Sequence, residues 1–314
     1  MESVPVVDIS NPSDLSIEAL DRACSDHGFF LLEGHGLDAM IQRTWDQARR
    51  FFTAGPSVTE PIRRDADNHL GYFDRELTKR VRDHKEVFDF IDPRCSRSDL
   101  NRWPDLPGFE SDLSEFFDHM ADLAVRAVSL VHSALGLPIG IANTHAGHRE
   151  TSTIRLNHYT VGDPVPADQR AGLENLGPVA LGHHTDPGVL TLLIQDDTGG
   201  LQALNRSGAW IDVPPRPGTI VVNLGDVMQV WTNDRYRAAV HRVTPMTTTD
   251  RYSIPLFFNP SSDTIVEPVG ELVDTQPRYR SFAWRDFIKG RMDDNFADYG
   301  ADDIQISDFL VTAD

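Results

Sequence analysis

Residues 181–194 read LGHHTDPGVLTLLI, and the alternation in this stretch decides how the rest of the chain is interpreted. Successive side chains of a β-strand point to opposite faces, so His184 and Asp186 share one face while His183 and Thr185 share the other. An imidazole and a carboxylate on one face are a pair of metal ligands. Choosing His183 instead would make the poor ligand Thr185 its partner. The stretch therefore predicts β-structure that carries two ligands of a metal site.

A third ligand is expected from a separate strand. Residues 236–243 read as such a strand and supply His241. With His184 and Asp186 it completes a set of two imidazoles and one carboxylate. Among first-row metals this facial set is typical of non-haem Fe(II) oxygenases, because it leaves the opposite face of the ion open for a chelating co-substrate and dioxygen.

Arg251 and Ser253 stand two residues apart in another strand-like segment. Their side chains are therefore expected on one face. A guanidinium offers two parallel donors that match a carboxylate, and a neighbouring hydroxyl adds a third. The ordinary alternative for Arg251 is a surface salt bridge. The pattern favours a small dicarboxylate, with one end on the metal and the other on Arg251.

Five ordered motifs resemble one enzyme family. The chain is similar to the 2-oxoglutarate/Fe(II)-dependent dioxygenases, in the subgroup of isopenicillin N synthase and the plant flavonoid and gibberellin oxidases, at residues 155–159, 184–193, 223–226, 241–243 and 251–258. The N-terminal region resembles the same subgroup at residues 4–9, 28–30 and 34–36. The resemblance thus covers nearly the whole chain, and five motifs in order are far more specific than a single His-x-Asp.

The resemblance implies a fold, a reaction and several residue roles. The implied fold is mainly β with flanking helices, built as a double-stranded β-helix (jelly-roll) barrel. The implied reaction is hydroxylation or desaturation of a small molecule with Fe(II), 2-oxoglutarate and O2, in which 2-oxoglutarate is decarboxylated to succinate. Tyr159 is expected to hydrogen-bond the co-substrate, and the expected substrate contacts are Asn157, Tyr72 and Phe258.

Three alternatives to this reaction stay open. An oxidase similar to isopenicillin N synthase or to the amino-cyclopropane-carboxylate oxidase would share the Arg-x-Ser pattern without using 2-oxoglutarate. A metal-binding or ligand-sensing barrel without turnover is a second alternative. A zinc hydrolase is the third, although no obvious general base accompanies the three ligands.

The composition limits the partners. The formal net charge is −19, so binding to a nucleic-acid backbone is not expected. No apolar run reaches the length of a membrane span, and the N-terminal residues show no secretory signal. Cys24 and Cys95 have no metal or redox spacing, which favours reduced thiols in a cytoplasm. The expected partner is a small-molecule substrate, and the oligomeric state is left open.

The chain is expected to form a single catalytic unit over residues 1–314. Within it we predict an N-terminal α/β region at 1–150, a jelly-roll core at 151–260, and a C-terminal helix and tail at 261–314. Apolar residues at helical spacing predict helices at 14–26, 38–53 and 109–135. A final helix is predicted at 279–288, where it could cover the barrel mouth.

The remaining predictions concern two connecting segments, the acidic chain end and two charged residues. Residues 55–68 are predicted as a loop, and the Pro- and Gly-rich residues 161–178 as a lid or rim over the substrate entrance. The acidic ending at 293–314 is expected to be solvated and anchored by apolar side chains such as Ile304 and Ile306. Arg155 is interpreted as a strand-end charge, and Asp226 as a turn residue.

Overall fold

The computed structural model describes residues 4–296 and 304–311. In these residues the helices are α1 (Asp14–Asp26), α2 (Asp38–Thr53), α3 (Pro56–Thr59), α4 (Phe109–Leu135), α5 (Ile139–Thr144), α6 (Asp226–Trp231) and α7 (Trp284–Phe296). The strands are β1 (Val6–Asp8), β2 (Phe29–Glu33), β3 (Gly71–Phe73), β4 (Leu77–Thr78), β5 (Val81–Arg82), β6 (Lys85–Ile91), β7 (Thr153–Tyr159), β8 (Leu181–His184), β9 (Leu190–Gln195), β10 (Leu201–Leu204), β11 (Trp210–Asp212), β12 (Ile220–Leu224), β13 (His241–Val243), β14 (Arg251–Phe258), β15 (Ile265–Val266) and β16 (Phe282–Ala283). The chain is thus mainly β with flanking helices.

Most of these strands belong to two sheets. The large sheet has eight strands in the order β1-β2-β12-β9-β14-β7-β6-β3, and only the β1–β2 pair in it is parallel. The small sheet has the order β11-β10-β13-β8. Strands from residues 1–150 lie on both sides of the strands from residues 151–260, so the two predicted regions share one sheet.

Helix α4 is the scaffold against which the large sheet packs. Its apolar residues recur every three or four positions, which places them along one side of the helix. The helix ends at Gly136, whose φ of +70° is a left-handed conformation that glycine adopts without strain. The helices predicted at 14–26, 38–53 and 109–135 are all confirmed with the same bounds.

Side chains of the large sheet alternate between two layers. Even-numbered residues such as Ile254 and Leu256 join α4 in the main hydrophobic core. The odd-numbered Val221 belongs to a second cluster, which also contains Leu201 and Val243 from the small sheet. The two sheets therefore pack face to face, and the candidate site lies between them.

Two segments differ from the sequence prediction. The predicted loop at 55–68 contains α3, because Pro56 stands at the start of a helix, where its missing N–H costs no hydrogen bond. The final helix is shifted from 279–288 to Trp284–Phe296. The reason is that Phe282 and Ala283 pair with β15 as a short strand, so the helix begins only after them.

The described part of the chain end packs against the core, and both cysteines are buried. Ile304 and Ile306 pack against the main core, while residues 297–303 and 312–314 of the acidic ending lie outside the described part. Cys24 and Cys95 are free and buried. Burial, and then the charge of Asp21, raises the pKa of the Cys24 thiol. Among the described residues, none of the helices combines the length and apolar composition needed to cross a bilayer.

Replacing Phe116 of α4 by alanine is expected to lower the free energy of unfolding by about 3–5 kcal/mol, because a fully buried ring leaves a cavity behind. The matched control is Val125→Ala on the same helix, whose side chain is 50% exposed and whose loss should change stability by at most about 0.5 kcal/mol. Urea denaturation measures both. Equal effects of the two substitutions would contradict the scaffold role of α4.

Candidate active site

Two strands of the small sheet and the loop after one of them bring the three predicted metal ligands together. His184 on β8 pairs in register with His241 on β13, and Asp186 follows two residues after His184. The Nε2 atoms of His184 and His241 lie 3.7 and 3.8 Å from Asp186 Oδ1. One ligand atom from each residue lies within 4.8 Å of the others, a spacing that suits a single metal ion.

Backbone carbonyls orient both imidazoles. His184 Nδ1 donates to the Gly182 carbonyl at 2.8 Å, and His241 Nδ1 donates to the Ala239 carbonyl at 2.9 Å. Because the proton is on Nδ1 in each ring, the Nε2 lone pairs are free to bind a metal. Burial, and then the neighbouring His241, lowers the pKa of His184 to about 3, so this imidazole is neutral at physiological pH.

Two residues that sequence reasoning missed hold the carboxylate. Thr191 Oγ1 and Asn223 Nδ2 donate to Asp186 Oδ2 at 2.6 and 2.7 Å, which leaves Oδ1 turned toward the imidazoles. Burial by itself would raise the pKa of Asp186, but the imidazoles and these two hydrogen bonds bring it below its ordinary value. The available signal was a polar residue within each of two largely apolar strands, β9 and β12.

The loop that carries Asp186 is fixed by close backbone contacts. The Asp226 N–H donates to the Asp186 carbonyl at 2.8 Å, which ties α6 to this loop. A Cβ at Gly225 would lie 2.2 Å from the Gly188 carbonyl oxygen, so only glycine fits there. The carboxylate of Asp226 is not part of the three-residue cluster.

Arg251 is a buried guanidinium without a carboxylate partner. It is 1% exposed, and no ion pair within 4.0 Å joins it to a carboxylate in the described residues. Its Nη1 donates to Ser253 Oγ at 3.1 Å, its Nη2 donates to Gln195 Oε1 at 3.3 Å, and its Nε has no partner. Burial lowers the pKa of Arg251. An uncompensated buried charge is costly, so the site is suited to an anionic ligand.

A small cavity of about 70 Å³ connects Arg251 with the histidines. The Tyr159 ring lies beneath the guanidinium, with its centroid 4.9 Å from the Arg251 Cζ atom. Asn157 Nδ2 donates to Ser253 Oγ at 3.4 Å. The predicted residues Asn157, Tyr159, Arg251 and Ser253 are thus brought together along one wall. Their arrangement can hold the far end of a short dicarboxylate whose other end reaches the metal.

A larger cavity of about 750 Å³ adjoins two of these three ligands. It shares His184 and Asp186 with the small cavity, so the candidate metal centre lies where the two meet. Its walls include the tip of the β4–β5 hairpin and two residues of α7, Ile288 and Arg291. A volume of this size accommodates a small organic molecule.

Two predicted substrate contacts do not reach either cavity. Tyr72 packs on Phe51 in the main core, and its hydroxyl donates to Glu86 at 2.6 Å. Phe258 is also in the main core, whereas its neighbour Phe257 lines both cavities. The reason is the alternation along β14, in which Arg251 and Phe257 share a face that Phe258 cannot share.

Arg155 is the centre of a buried ion network, and its interpretation as a strand-end charge is wrong. Its Nε and Nη2 donate to the Asp89 carboxylate at 2.8 and 2.7 Å, and its Nη1 donates to Glu76 at 2.7 Å. Lys85 also contacts Glu76, at 2.8 Å. Burial by itself would raise the pKa of Glu76, but the charges of Arg155, Lys85 and Arg64 hold it well below its usual range.

Residues 161–178 form neither the predicted lid nor a rim of the cavity. None of them lines either cavity. Instead, Asp163 accepts from both terminal guanidinium nitrogens of Arg82 at 2.9 and 2.8 Å, and the Glu174 carbonyl accepts from Arg82 Nε at 2.7 Å. The segment therefore braces the β4–β5 hairpin, and the hairpin forms the cavity wall.

A cluster of two histidines and one carboxylate beside a buried arginine is typical of non-haem iron oxygenases. Residues 150–260 match the sequence model of the 2OG-Fe(II) oxygenase superfamily, and residues 4–106 match the one described as non-haem dioxygenase in morphine synthesis N-terminal. Gibberellin 3-beta-dioxygenase 1 of Oryza sativa subsp. japonica is 31% identical over 92% of this chain and 77% of its own. Homoarginine-6-hydroxylase 2-ODD-233 of the same organism is 30% identical over 85% of this chain and 89% of its own.

A solved structure supports the same assignment at the level of the fold. A full-length protein of Neurospora crassa, crystallised in complex with alpha-KG, matches with a TM-score of 0.78 and 24% identity, over 92% of this chain and 96% of that one. The chain belongs to the 2OG-Fe(II) oxygenase superfamily and is an Fe(II)- and 2-oxoglutarate-dependent dioxygenase.

Replacing Thr191 by valine is expected to weaken Fe(II) binding by about 10- to 100-fold, because the hydrogen bond that orients Asp186 is lost while the side-chain volume is kept. The control is Thr248→Val, the same change at an exposed loop residue. Anaerobic titration with Fe(II) measures both dissociation constants. Unchanged affinity in Thr191→Val would show that the Asp186 carboxylate does not need this support.

Proposed function

We propose that His184, Asp186 and His241 hold the ferrous ion through the two Nε2 atoms and Asp186 Oδ1. Three observations support this: the spacing of the ligand atoms, the free Nε2 lone pairs, and the turning of Asp186 Oδ1 toward the rings. Ferrous iron bound with 2-oxoglutarate and O2 supplies the oxidation of a C–H bond, by hydroxylation or desaturation. The three residues fix the ion at one point on a braced wall.

Arg251 and Ser253 bind the far carboxylate of 2-oxoglutarate. The observation that carries this proposal is the buried Arg251 guanidinium, which has an unpartnered Nε and faces the candidate metal centre across the small cavity. A carboxylate there would supply the missing counter-charge and two charge-assisted hydrogen bonds. Tyr159, stacked beneath the guanidinium, is placed to hydrogen-bond the same co-substrate.

An oxidase that does not use 2-oxoglutarate is the less favoured alternative. The relatives include hydroxylases and gibberellin oxidases of the 2OG-Fe(II) superfamily. An oxidase of that kind would also leave the Arg251 guanidinium without a dicarboxylate to bind. Succinate formed in a one-to-one ratio with product would distinguish the two reactions.

The primary substrate is a small molecule that occupies the larger cavity. Relatives of this chain are named for small molecules, a homoarginine hydroxylase and a gibberellin dioxygenase, and the cavity volume is of the matching order. Phe257, Leu77 and Ile288 give the cavity apolar surfaces. Asn157, in the adjoining small cavity, is placed to contact substrate or co-substrate, since its Oδ1 has no partner.

The two sheets form a double-stranded β-helix (jelly-roll) barrel, and residues 1–314 act as a single catalytic unit. The barrel is supported by the face-to-face packing of the sheets, with His184 and His241 on the small sheet and Arg251 and Ser253 on the large one. The sharing of the large sheet by residues 1–150 and 151–260 supports the single unit, with residues 261–314 adding α7 to the cavity wall.

Replacing Arg251 by methionine is expected to weaken 2-oxoglutarate binding by roughly a hundredfold, since hydrogen bonds to charged groups contribute about 1.5–3 kcal/mol each. Titration calorimetry on the Fe(II)-loaded protein without oxygen measures the dissociation constant. The control is Arg206→Met, which removes a guanidinium from a largely exposed side chain. Equal affinities of Arg251→Met and the native protein for 2-oxoglutarate would refute the role of Arg251 in binding its far carboxylate.

Replacing His241 by alanine is expected to abolish stoichiometric Fe(II) binding, because two remaining ligands cannot complete the facial set. His183→Ala is the matched control, since this neighbouring histidine is exposed and lies outside the cluster of three ligands. Iron content after anaerobic reconstitution measures both. Full iron occupancy in His241→Ala, or its loss in His183→Ala, would show that the ligands are assigned wrongly.

A further inference from the structure

Among the described residues that line the larger cavity, positive side chains outnumber negative ones, although the whole chain has a formal net charge of −19. Five cations line it, namely Lys79, Arg80, Lys85, Arg155 and Arg291. Three carboxylates line it, and one of them, Asp186, belongs to the candidate metal centre. This local surplus of positive charge favours an anion over a cation as the ligand of the cavity.

The inner part of the cavity wall is already neutralised. Glu76 contacts Arg155 at 2.7 Å and Lys85 at 2.8 Å, and Asp89 accepts two hydrogen bonds from Arg155. Arg64 adds a further positive charge behind both carboxylates, and Asp83, 3.3 Å from Lys85 Nζ, adds the balancing negative charge. Neither Glu76 nor Asp89 therefore has an open oxygen pair for a cationic substrate.

Arg291 differs from these residues because no carboxylate of the described residues lies within hydrogen-bond distance of it. Its side chain is 9% exposed, and its Nη2 donates to the Thr185 carbonyl at 2.7 Å, one residue before Asp186. The nearest described carboxylate oxygen, Asp226 Oδ2, is 3.8 Å away and accepts no hydrogen bond there. A carbonyl thus fixes one end of the guanidinium, and the rest is available to an anion in the cavity.

The cavity entrance carries further positive charge, at the turn of the β4–β5 hairpin. Lys79 and Arg80 form the two-residue turn between β4 and β5, with φ of 51° and 63°. Such turns favour Asn-Gly because both central residues are left-handed, and long side chains adopt them at a cost. Lys79 Nζ donates to His183 Nε2 at 2.9 Å, which holds the turn beside the ligand strand. The strained turn keeps two cations at the rim.

We propose that the primary substrate is a small carboxylic acid whose carboxylate is bound by Arg291, with Lys79 raising its concentration at the entrance. The proposal rests on the function proposed above, because it places the substrate in the cavity that opens onto the candidate iron ligands. A carboxylate on Arg291 would fill the open part of its guanidinium. It would also orient the rest of the molecule toward the metal centre from the α7 side.

The test uses matched pairs of probes that differ only in charge: phenylacetate, cinnamate, indole-3-acetate and decanoate, each compared with its primary amide. Binding to the full chain loaded with Fe(II) and saturating 2-oxoglutarate is measured by calorimetry without oxygen. We expect at least one acid to bind about tenfold to a hundredfold more tightly than its amide, the range for hydrogen bonds to a charged group.

Two variants assign that preference to Arg291. Arg291→Met should bind iron and 2-oxoglutarate as the native protein does but lose the preference for the acid. Lys289→Met, which removes an exposed charge from the same helix outside the cavity, should keep it. Acids that bind no more tightly than their amides, or a preference that survives in Arg291→Met, would overturn the proposal.

Binding of iron and 2-oxoglutarate is measured first. This measurement distinguishes a failure of the proposed function from a failure of the Arg291 assignment. A native protein that binds neither contradicts the proposed function. A loaded protein without a preference for acids contradicts only the assignment of Arg291.

Discussion

The alternation of side chains across the large sheet is the constraint on which the site depends. Along β7 and β14 the odd-numbered residues face the small sheet, and the even-numbered residues face α4. The α4 side is filled with apolar side chains, whereas the opposite side carries Asn157, Tyr159, Arg251 and Ser253. A shift of either strand by one residue would place Arg251 in the hydrophobic core. The packing of the core therefore fixes the strand register that places Arg251 and Ser253 in the small cavity.

Buried charges on the inner face fall into two kinds, and the difference separates structure from function. Arg155 has its three donor groups paired with Asp89 and Glu76, so it stabilises the wall and offers little to a ligand. Arg251 is also buried but has no ion pair with a carboxylate of the described residues, whereas Arg291, 9% exposed, has the Asp226 carboxylate 3.8 Å away, beyond hydrogen-bond distance. Because an uncompensated buried charge is costly, the Arg251 guanidinium is suited to a ligand that supplies the counter-charge, and the unfilled donors of Arg291 are open to a second anion.

The sequence sufficed for those features that depend on local spacing. Three helices were predicted with their observed bounds, and His184, Asp186 and His241 do converge. Alternation alone would also have placed Phe257 rather than Phe258 in the cavity. The contacts of Thr191 and Asn223 with Asp186 could not be predicted in this way, since they require β9 and β12 to be neighbours, and strand order is not encoded in local periodicity.

The β4–β5 hairpin shows why a long segment can be functional without being a lid. Each of its strands has only two residues, and an isolated hairpin of this size is not stable in water. Its left-handed turn adds further cost. The stabilisation comes from Arg82, which is paired with Asp163 and bonded to the backbone of residues 174 and 177. The rigidity of the cavity entrance is therefore set by residues 161–178, although none of them lines the cavity.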